Sequence, residues 1–293
     1  MRNVMLIVNP KSGKSGIRTK LLDVIDVFVK ADYNLTIYIS QHVGDARKKA
    51  KEEAGEYDTI ICSGGDGTLD EVISGVMESG KRCAVGYIPA GSTNDFANSL
   101  QLPKNEVAAA ERIVENNEFP CDIGKFNDDF FIYIAAFGIF TDVSYETPQD
   151  MKNMLGHLAY VLEGMKKLAA IKTYHINAVA DGEEISGEFI FGMVTNSTSV
   201  GGFKNITGKN VKLDDGLFEI TLIRAPQNIM DLNAIITALL TQTPNEKYMF
   251  QTRAKDVEIN FENEVPWTLD GEYGGDHSHV RIRNAKKALT LLV

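Results

Sequence analysis

Short apolar runs alternate with segments of helical periodicity along the first part of the chain. Val4–Val8 is an apolar, β-branched run that ends at Asn9-Pro10, and Ile17–Lys30 carries apolar residues at helical spacing. The alternation continues through further predicted strands and helices: Leu35–Ile39, Val43–Ala54, Thr59–Cys62, Thr68–Met77, Ala84–Ile88 and Val107–Asn116. Strands that alternate with helices predict a parallel, doubly wound α/β sheet.

The segments that follow these strands are polar or rich in glycine. They are Asn9–Gly13, Ser40, Gly64–Thr68 and Gly91–Asp95. Loops that leave the carboxyl ends of parallel strands meet at one edge of the sheet, where such sheets bind ligands. We therefore predict that these four segments line one ligand-binding crevice.

The pattern changes near Asp122, where strand-like runs joined by glycine turns take over. These runs are Phe130–Ala136, Tyr174–Ala180, Glu188–Thr195, Leu217–Ile223, Val257–Phe261, Val280–Arg283 and Ala288–Leu292, with helical stretches at Gly156–Ile171 and Gln227–Leu240. Many short strands with such turns predict a mainly antiparallel β-sandwich. The predicted domains are 1–124 and 125–293, and the final strand could pack back on the first domain.

Composition and charge narrow the class of protein. The 293 residues are 44% hydrophobic and 24% charged, as in ordinary globular proteins, and the net charge of −10 disfavours nucleic-acid binding. No apolar run is long enough to span a bilayer, and the N-terminus predicts a strand rather than a signal peptide, so we expect a cytoplasmic protein. Three separated cysteines predict buried free thiols. His277 and His279 fit a hairpin loop better than a metal site.

The most informative stretch for chemistry is Ser63–Glu71, with the sequence SGGDGTLDE. Glycines allow backbone N–H groups to approach a phosphate closely, so Gly64, Gly65 and Gly67 are candidates for a phosphate cradle. Asp66 is a candidate for work on the nucleotide or metal, although an Asp here could also cap the following helix. The Walker and dinucleotide patterns are both excluded, because Val stands at position 8 and Asp at position 70 where each requires a glycine.

Several motifs in a fixed order carry a specific resemblance. They are NPKSG at 9–13, GGDGTLDEV at 64–72, PAGSTNDF at 89–96, VTN at 194–196, GGF at 201–203, KLDDGL at 212–217 and LDGE at 269–272. Together they resemble the bacterial diacylglycerol kinase family of lipid kinases, which is related to sphingosine and ceramide kinases and, more distantly, to NAD kinases and phosphofructokinases. The resemblance spans essentially the whole chain.

The resemblance implies a set of site residues. The residues expected to contact ATP are Asn9, Pro10, Lys11, Ser12, Gly13, Ser40, Gly64, Gly65, Asp66, Gly67, Thr68, Leu69, Asp70, Glu71 and Ser92. It also implies a Mg²⁺ site at Lys212, Asp215 and Leu217, of the oxygen-only type that suits a hard cation. Two positions depart from the family pattern, with Asp70 where relatives usually carry Asn and Ser92 where they usually carry Thr.

The same resemblance implies the catalytic groups. Glu272 is expected to accept the proton of the lipid hydroxyl, and Asp270 to share that role or bind a catalytic metal, with Asp66 beside the nucleotide. Asp215 and Asp270 each have a structural alternative, because Asp-Gly is also a favoured turn pair.

The resulting hypothesis is an ATP- and Mg²⁺-dependent lipid kinase that phosphorylates the free hydroxyl of diacylglycerol or a related lipid. The alternatives are a soluble-substrate kinase of the NAD kinase type and a nucleotide-binding regulator without catalysis. A lipid substrate implies work at the inner face of the membrane. The apolar stripe from Leu158 to Ile171 is a candidate interfacial helix, although core packing explains such stripes more often. Exposed strand edges make a homodimer a further expectation.

Overall fold

The computed structural model describes residues 2–13, 16–91, 94–139, 162, 171–200, 203–204 and 211–293. The chain divides into two compact units. The first unit comprises residues 1–122 and 287–293, and the second comprises residues 123–286. The last seven residues therefore return to the first unit.

The first unit is an α/β structure built on parallel strands. Its elements are β1 (Arg2–Val8), α1 (Gly16–Lys30), β2 (Tyr33–Ile39), α2 (Asp45–Glu53), β3 (Thr59–Gly64), α3 (Asp66–Ser79), β4 (Ala84–Pro89), α4 (Asp95–Ser99), α5 (Glu106–Val114) and the start of β5 (Glu118–Phe126). The strand order is β2-β1-β3-β4, all parallel, and the end of β15 (Glu272–Leu292) adds a fifth parallel strand beside β4. α1 packs on α5, and α2 packs on α3.

The hydrophobic pattern explains why this sheet lies inside the unit. Val4–Val8 and Thr59–Gly64 are buried along their whole length. Strands covered on both faces carry continuous apolar runs rather than alternating ones. The core on one side joins Val4, Leu6 and Ile61 to Phe28 of α1.

The second unit is strand-rich and antiparallel. Its elements are the end of β5, β6 (Asp129–Phe131), β7 (Ile134–Gly138), β8 (Tyr174–Ala180), β9 (Glu183–Thr195), β10 (Ser199–Val200), β11 (Phe203–Lys204), β12 (Phe218–Arg224), α6 (Ile229–Leu240), β13 (Met249–Ala254), β14 (Asp256–Leu269) and most of β15. The main strand order is β13-β12-β9-β7-β14-β15, and β8 pairs with both β9 and β14. The core centres on Trp267, whose ring lies 4.9 Å from that of Phe137 and 5.1 Å from that of Phe126.

Several predicted elements need correction. The single strand predicted at Phe130–Ala136 is wrong, since β6 and β7 are separated at Ile132 and Tyr133, where the Asp270 carboxylate accepts backbone N–H groups. Strands β5 and β13 and the short helix α4 were not predicted, and α3 begins at Asp66 rather than near Thr68. The predicted helix at 156–171 lies outside the described residues apart from Leu162 and Ile171.

Candidate active site

Three loops of the first unit meet in direct backbone contact at the carboxyl edge of the sheet. A Cβ added at Gly13, which has a φ of 61°, would overlap the carbonyl oxygen of Ala90. A Cβ added at Gly91 would lie 2.6 Å from the Cα of Gly65. The loops after β1, β3 and β4 therefore converge as their placement predicts. Glycine is required at these contacts because any side chain would separate the backbones.

Side chains from the first loop also bind the second. Asn9 donates from Nδ2 to Thr68 Oγ1 at 2.9 Å, and its Oδ1 accepts the N–H of Lys11 at 2.9 Å. The N–H of Gly65 donates to Ser12 Oγ at 3.2 Å. The NPKSG segment and the GGDGT segment are thus one structural assembly rather than two neighbouring motifs.

The N-terminus of α3 gives this assembly its electrostatic character. Gly65 occupies the N-cap position and has no side chain to cap the helix. The first turn of a helix presents unpaired N–H groups and the positive end of the helix dipole, which together favour phosphate. Asp66 does not cap α3, because it is the first helical residue and its Oδ2 accepts the N–H of Asp95 at 3.1 Å. Asp66 therefore joins α3 to α4.

Not every residue of the Gly64–Glu71 segment faces the crevice. Leu69 is fully buried in the core, and Asp70 accepts the Ser74 hydroxyl at 3.5 Å along the helix. Both oxygens of Glu71 accept backbone N–H groups at the start of α2, from Gly44 at 2.8 Å and Ala46 at 3.1 Å. Glu71 therefore holds the loop that follows β2.

Ser40 lies in that loop. It is buried, and its N–H donates to the carbonyl of Val8 at 3.0 Å, which anchors the end of β2 to β1. Ser92 lies outside the described residues.

Tyr87, which sequence reasoning missed, completes the assembly together with Asn94. Tyr87 of β4 is buried, and its hydroxyl lies 3.2 Å from Asn94 Oδ1 and 3.4 Å from the carbonyl oxygen of Gly64. Asn94 belongs to the predicted Gly91–Asp95 segment, and its side chain bonds to Gly91 rather than capping α4. A tyrosine in an otherwise apolar strand directly before a glycine loop was the available signal.

The second unit contains the DGE motif. Asp270 has a φ of 49° and is 3% exposed. Its carboxylate accepts the backbone N–H groups of Ile132, Tyr133 and Ile134. These bonds fix the position of the carboxylate and engage both of its oxygens. Glu272, the first residue of β15, is exposed at the surface of this unit.

The turn at Lys212–Leu217 contains a small charge cluster. Asp215 accepts the N–H of Leu217 at 3.1 Å through one oxygen and Arg253 Nη2 at 2.5 Å through the other. Arg253 also donates to Glu219, whose side chain is 3% exposed. Burial raises the pKa of Glu219 to about 7. The cluster has two carboxylates and one guanidinium, so a further cation is compatible with it.

The histidines and cysteines considered as candidate ligands make structural contacts or are buried in this fold. His277 contacts the carbonyl of Gly274 at 2.9 Å, and His279 contacts Asn260 at 2.8 Å. Among the described residues, no three His, Cys, Asp or Glu side chains are grouped as metal ligands. The three cysteines are buried free thiols, as predicted. A cavity of about 740 Å³ lies at Gly80–Ala84 and Lys287–Thr290, near the amino ends of the strands and away from the phosphate loops.

Comparison with known proteins agrees with this architecture. Residues 3–126 match the family model described as the diacylglycerol kinase catalytic domain, and residues 135–293 match the YegS C-terminal NAD kinase beta sandwich-like domain. The chain is 35% identical to the diacylglycerol kinase of Bacillus subtilis (strain 168), over 94% of this chain and 91% of that one. The chain belongs to the bacterial diacylglycerol kinase family.

Further relatives extend this family assignment. The diacylglycerol kinase of Staphylococcus aureus (strain bovine RF122 / ET3-1) is 34% identical over 94% of this chain and 87% of its own length. A crystal structure of a diacylglycerol kinase from Bacillus anthracis str. Sterne aligns with a TM-score of 0.78 at 27% identity, over 99% of this chain and 96% of that one. Another crystal structure from the same organism gives a TM-score of 0.86, also at 27% identity, over 99% and 95%.

Among the described residues, no helix combines the length and the apolar character needed to cross a bilayer.

Proposed function

We propose that this protein is an ATP-dependent lipid kinase that transfers the γ-phosphate to the free hydroxyl of diacylglycerol or a related lipid. The observation that carries the proposal is the backbone contact of Gly13, Gly65 and Gly91 beside the uncapped N-terminus of α3. Phosphoryl transfer depends mainly on positioning and charge stabilisation, which such a cradle provides. Membership of a family of diacylglycerol kinases supports lipid rather than NAD as the acceptor.

In the proposed reaction, the backbone N–H groups of the phosphate loops bind the phosphates of ATP. Glu272 accepts the proton of the lipid hydroxyl while the hydroxyl oxygen attacks the γ-phosphorus of ATP. ADP leaves with the bridging oxygen. Glu272 suits this role because it is an exposed carboxylate that a substrate can approach. Asp66 acts from the start of α3 as a nucleotide or metal partner.

We assign Asp270 a positioning role rather than the role of base. Three backbone N–H groups of the Ile132–Ile134 segment bind its carboxylate, which is also buried. Both oxygens of this buried carboxylate already accept backbone bonds, so a lipid hydroxyl has less access to it than to Glu272. Its function in this proposal is to hold the turn that presents Glu272.

We further propose a Mg²⁺ site at the Lys212–Leu217 turn. The ligands would be the carboxylate of Asp215 and the backbone carbonyls of Lys212 and Leu217, a donor set that suits a hard cation. When both are ionised, Asp215 and Glu219 carry one negative charge more than Arg253 supplies. Glu219 Oε2 is buried with no hydrogen-bond partner in the described part of the chain. When bound, the ion would supply positive charge and tie the turn together.

The setting of the reaction is also a proposal. A kinase that takes its acceptor from a bilayer works at the membrane surface, and we place it at the inner face, facing the cytoplasm.

The packing of α1 on α5 and of α2 on α3 supports a doubly wound first unit with helices on both faces of its sheet. The end strand β13 pairs with β12, so its other edge is a candidate contact for a homodimer.

The deciding experiment is transfer from γ-³²P-ATP to a panel of acceptors, with and without Mg²⁺. Diacylglycerol and related lipids are presented in mixed micelles, and NAD is presented in solution. We expect label in the lipid fraction. Label in NAD alone would establish the soluble-kinase alternative, and ATP binding without any transfer would establish a regulator.

A further inference from the structure

Tyr87 connects two of the phosphate loops from beneath. It lies in β4 with its side chain 2% exposed, so the ring belongs to the core while the hydroxyl reaches the carboxyl edge of the sheet. That hydroxyl is 3.2 Å from Asn94 Oδ1, in the loop after β4, and 3.4 Å from the carbonyl of Gly64, in the loop after β3. The Tyr87 hydroxyl therefore lies at the start of both loops.

The hydroxyl has one proton, and its surroundings decide where that proton points. Burial raises the pKa of Tyr87 well above its usual value, and the nearby Asp66 carboxylate raises it further, so the group remains a neutral donor. The Gly64 carbonyl already accepts the N–H of Ala90 at 2.7 Å. The Asp66 carboxylate also interacts with this hydroxyl. The shorter of the two contacts with a resolved distance is to Asn94 Oδ1, and we assign the donated bond there.

Asn94 transmits this bond to the backbone of Gly91. Its Oδ1 accepts the Gly91 N–H at 3.0 Å, and its Nδ2 donates to the Gly91 carbonyl at 3.0 Å. The residue adopts a left-handed conformation with a φ of 54°, which asparagine tolerates when its side chain bonds locally. A Tyr87 donor requires the oxygen of the amide on this side, because a rotated amide would set N–H groups against each other.

Gly91 is the residue whose backbone touches Gly65 of the phosphate cradle. We propose that Tyr87 is a positioning residue for nucleotide binding, whose hydroxyl orients Asn94 and thereby holds Gly91 against Gly65. The inference rests on the proposed function, because that function places the nucleotide phosphates at this edge. It adds a residue outside the glycine motifs and a chain of contacts that runs from the core to the cradle.

The test is calorimetric titration of Tyr87→Phe with ATP and with adenosine. The ring is kept and one hydroxyl is removed, so the core packing is conserved. A hydrogen bond of about 1 kcal/mol corresponds to roughly a fivefold change, and we expect the Kd for ATP to rise five- to tenfold. The Kd for adenosine should stay unchanged, because adenosine has no phosphates.

A matched control is Tyr248→Phe. It removes a hydroxyl that lies 2.6 Å from Asp231 Oδ1 in the second unit. We expect some loss of stability in this variant and wild-type ATP affinity. Asn94→Gly supplies an independent variant, since glycine accepts the left-handed backbone. In the double variant, the fold increase in the Kd for ATP should be smaller than the product of the two single increases, because both substitutions remove the same bond.

Each outcome decides the proposal. Weakened ATP binding with unchanged adenosine binding supports the positioning role. A Tyr87→Phe protein with a lowered Tm but wild-type ATP affinity overturns it and leaves the kinase proposal intact. If Tyr87→Phe does not fold, the same comparison in Asn94→Gly decides between these two results. Wild-type protein that binds no ATP would overturn the proposed function itself, and the titration needs no lipid to reveal it.

Discussion

Gly91→Ala is the substitution that most directly tests the convergence of the loops. The added Cβ would lie 2.6 Å from the Cα of Gly65 and 2.6 Å from Asn94 Oδ1. Carbon atoms in contact lie about 3.5 to 4.0 Å apart, so the two backbones must separate by about 1 Å. A backbone cannot change rotamer as a flexible side chain can. The added Cβ therefore displaces the phosphate loops themselves.

This displacement should lower the catalytic rate strongly and the free energy of unfolding only slightly. Misplacement of reacting groups by about 1 Å can lower a rate about 100-fold, whereas overpacking usually destabilises a fold by about 1 to 3 kcal/mol. We therefore expect kcat/KM for ATP to fall about 100-fold with a small decrease in Tm. The assay is transfer of label from γ-³²P-ATP to diacylglycerol in mixed micelles, with Tm measured in parallel.

Gly55→Ala is the matched control in the same unit. The added Cβ would lie 3.5 Å from Lys81 Cγ, an ordinary contact with a mobile side chain, and Gly55 lies in a turn away from the loops. Alanine at a compatible position stabilises a fold by about 0.4 to 1 kcal/mol, so Tm should be unchanged or slightly higher with wild-type turnover. Wild-type kcat/KM in Gly91→Ala would refute the close contact of the phosphate loops.

Three further predictions concern the acids and the thiols. Glu272→Gln should abolish transfer while leaving the Kd for ATP near the wild-type value; turnover at the wild-type rate would remove Glu272 as the base. Asp270→Asn sets an amide N–H₂ against backbone N–H groups and should lower the free energy of unfolding by about 2 to 4 kcal/mol in urea titrations. Asp276→Asn, at an exposed position of β15, should change the free energy of unfolding far less, and equal effects would contradict the positioning role. Burial raises the pKa of Cys83 to about 11, so at pH 8 its thiolate is about 0.1% populated, against about 10% at the reference value of 9.0. Ellman's reagent should therefore react slowly with native protein and with all three thiols in denaturant, whereas rapid reaction of the native protein would contradict their burial.

Local patterns were sufficient wherever a segment's environment could be read from its own residues. The predicted strand at Val4–Val8 falls within β1, and Tyr174–Ala180 coincides with β8. A parallel strand buried on both faces is apolar throughout, while a half-buried strand alternates, so each pattern carries its structure in a few residues. The glycine segments were equally readable, because close backbone approach requires residues without a side chain.

Local patterns did not predict hydrogen bonds between residues that are far apart in the sequence. The bonds from Asp270 to the Ile132–Ile134 segment join residues more than 130 positions apart, and they divide what looked like one strand. Glu71 looked like a nucleotide contact by its place in the motif, yet its oxygens cap the start of α2. A carboxylate has the same local signature whether it binds a ligand or a distant backbone N–H.

The sequence alone determined the classes of the elements, the four strand-end segments and the family resemblance, because these depend on periodicity, on glycine and on short motifs. Only the tertiary structure decided which side chains of those motifs are engaged within the protein. Tyr87 illustrates the difference, since an apolar strand explains its burial but not the position of its hydroxyl between Gly64 and Asn94. That position depends on how two neighbouring strands place their loops, and no local pattern encodes it.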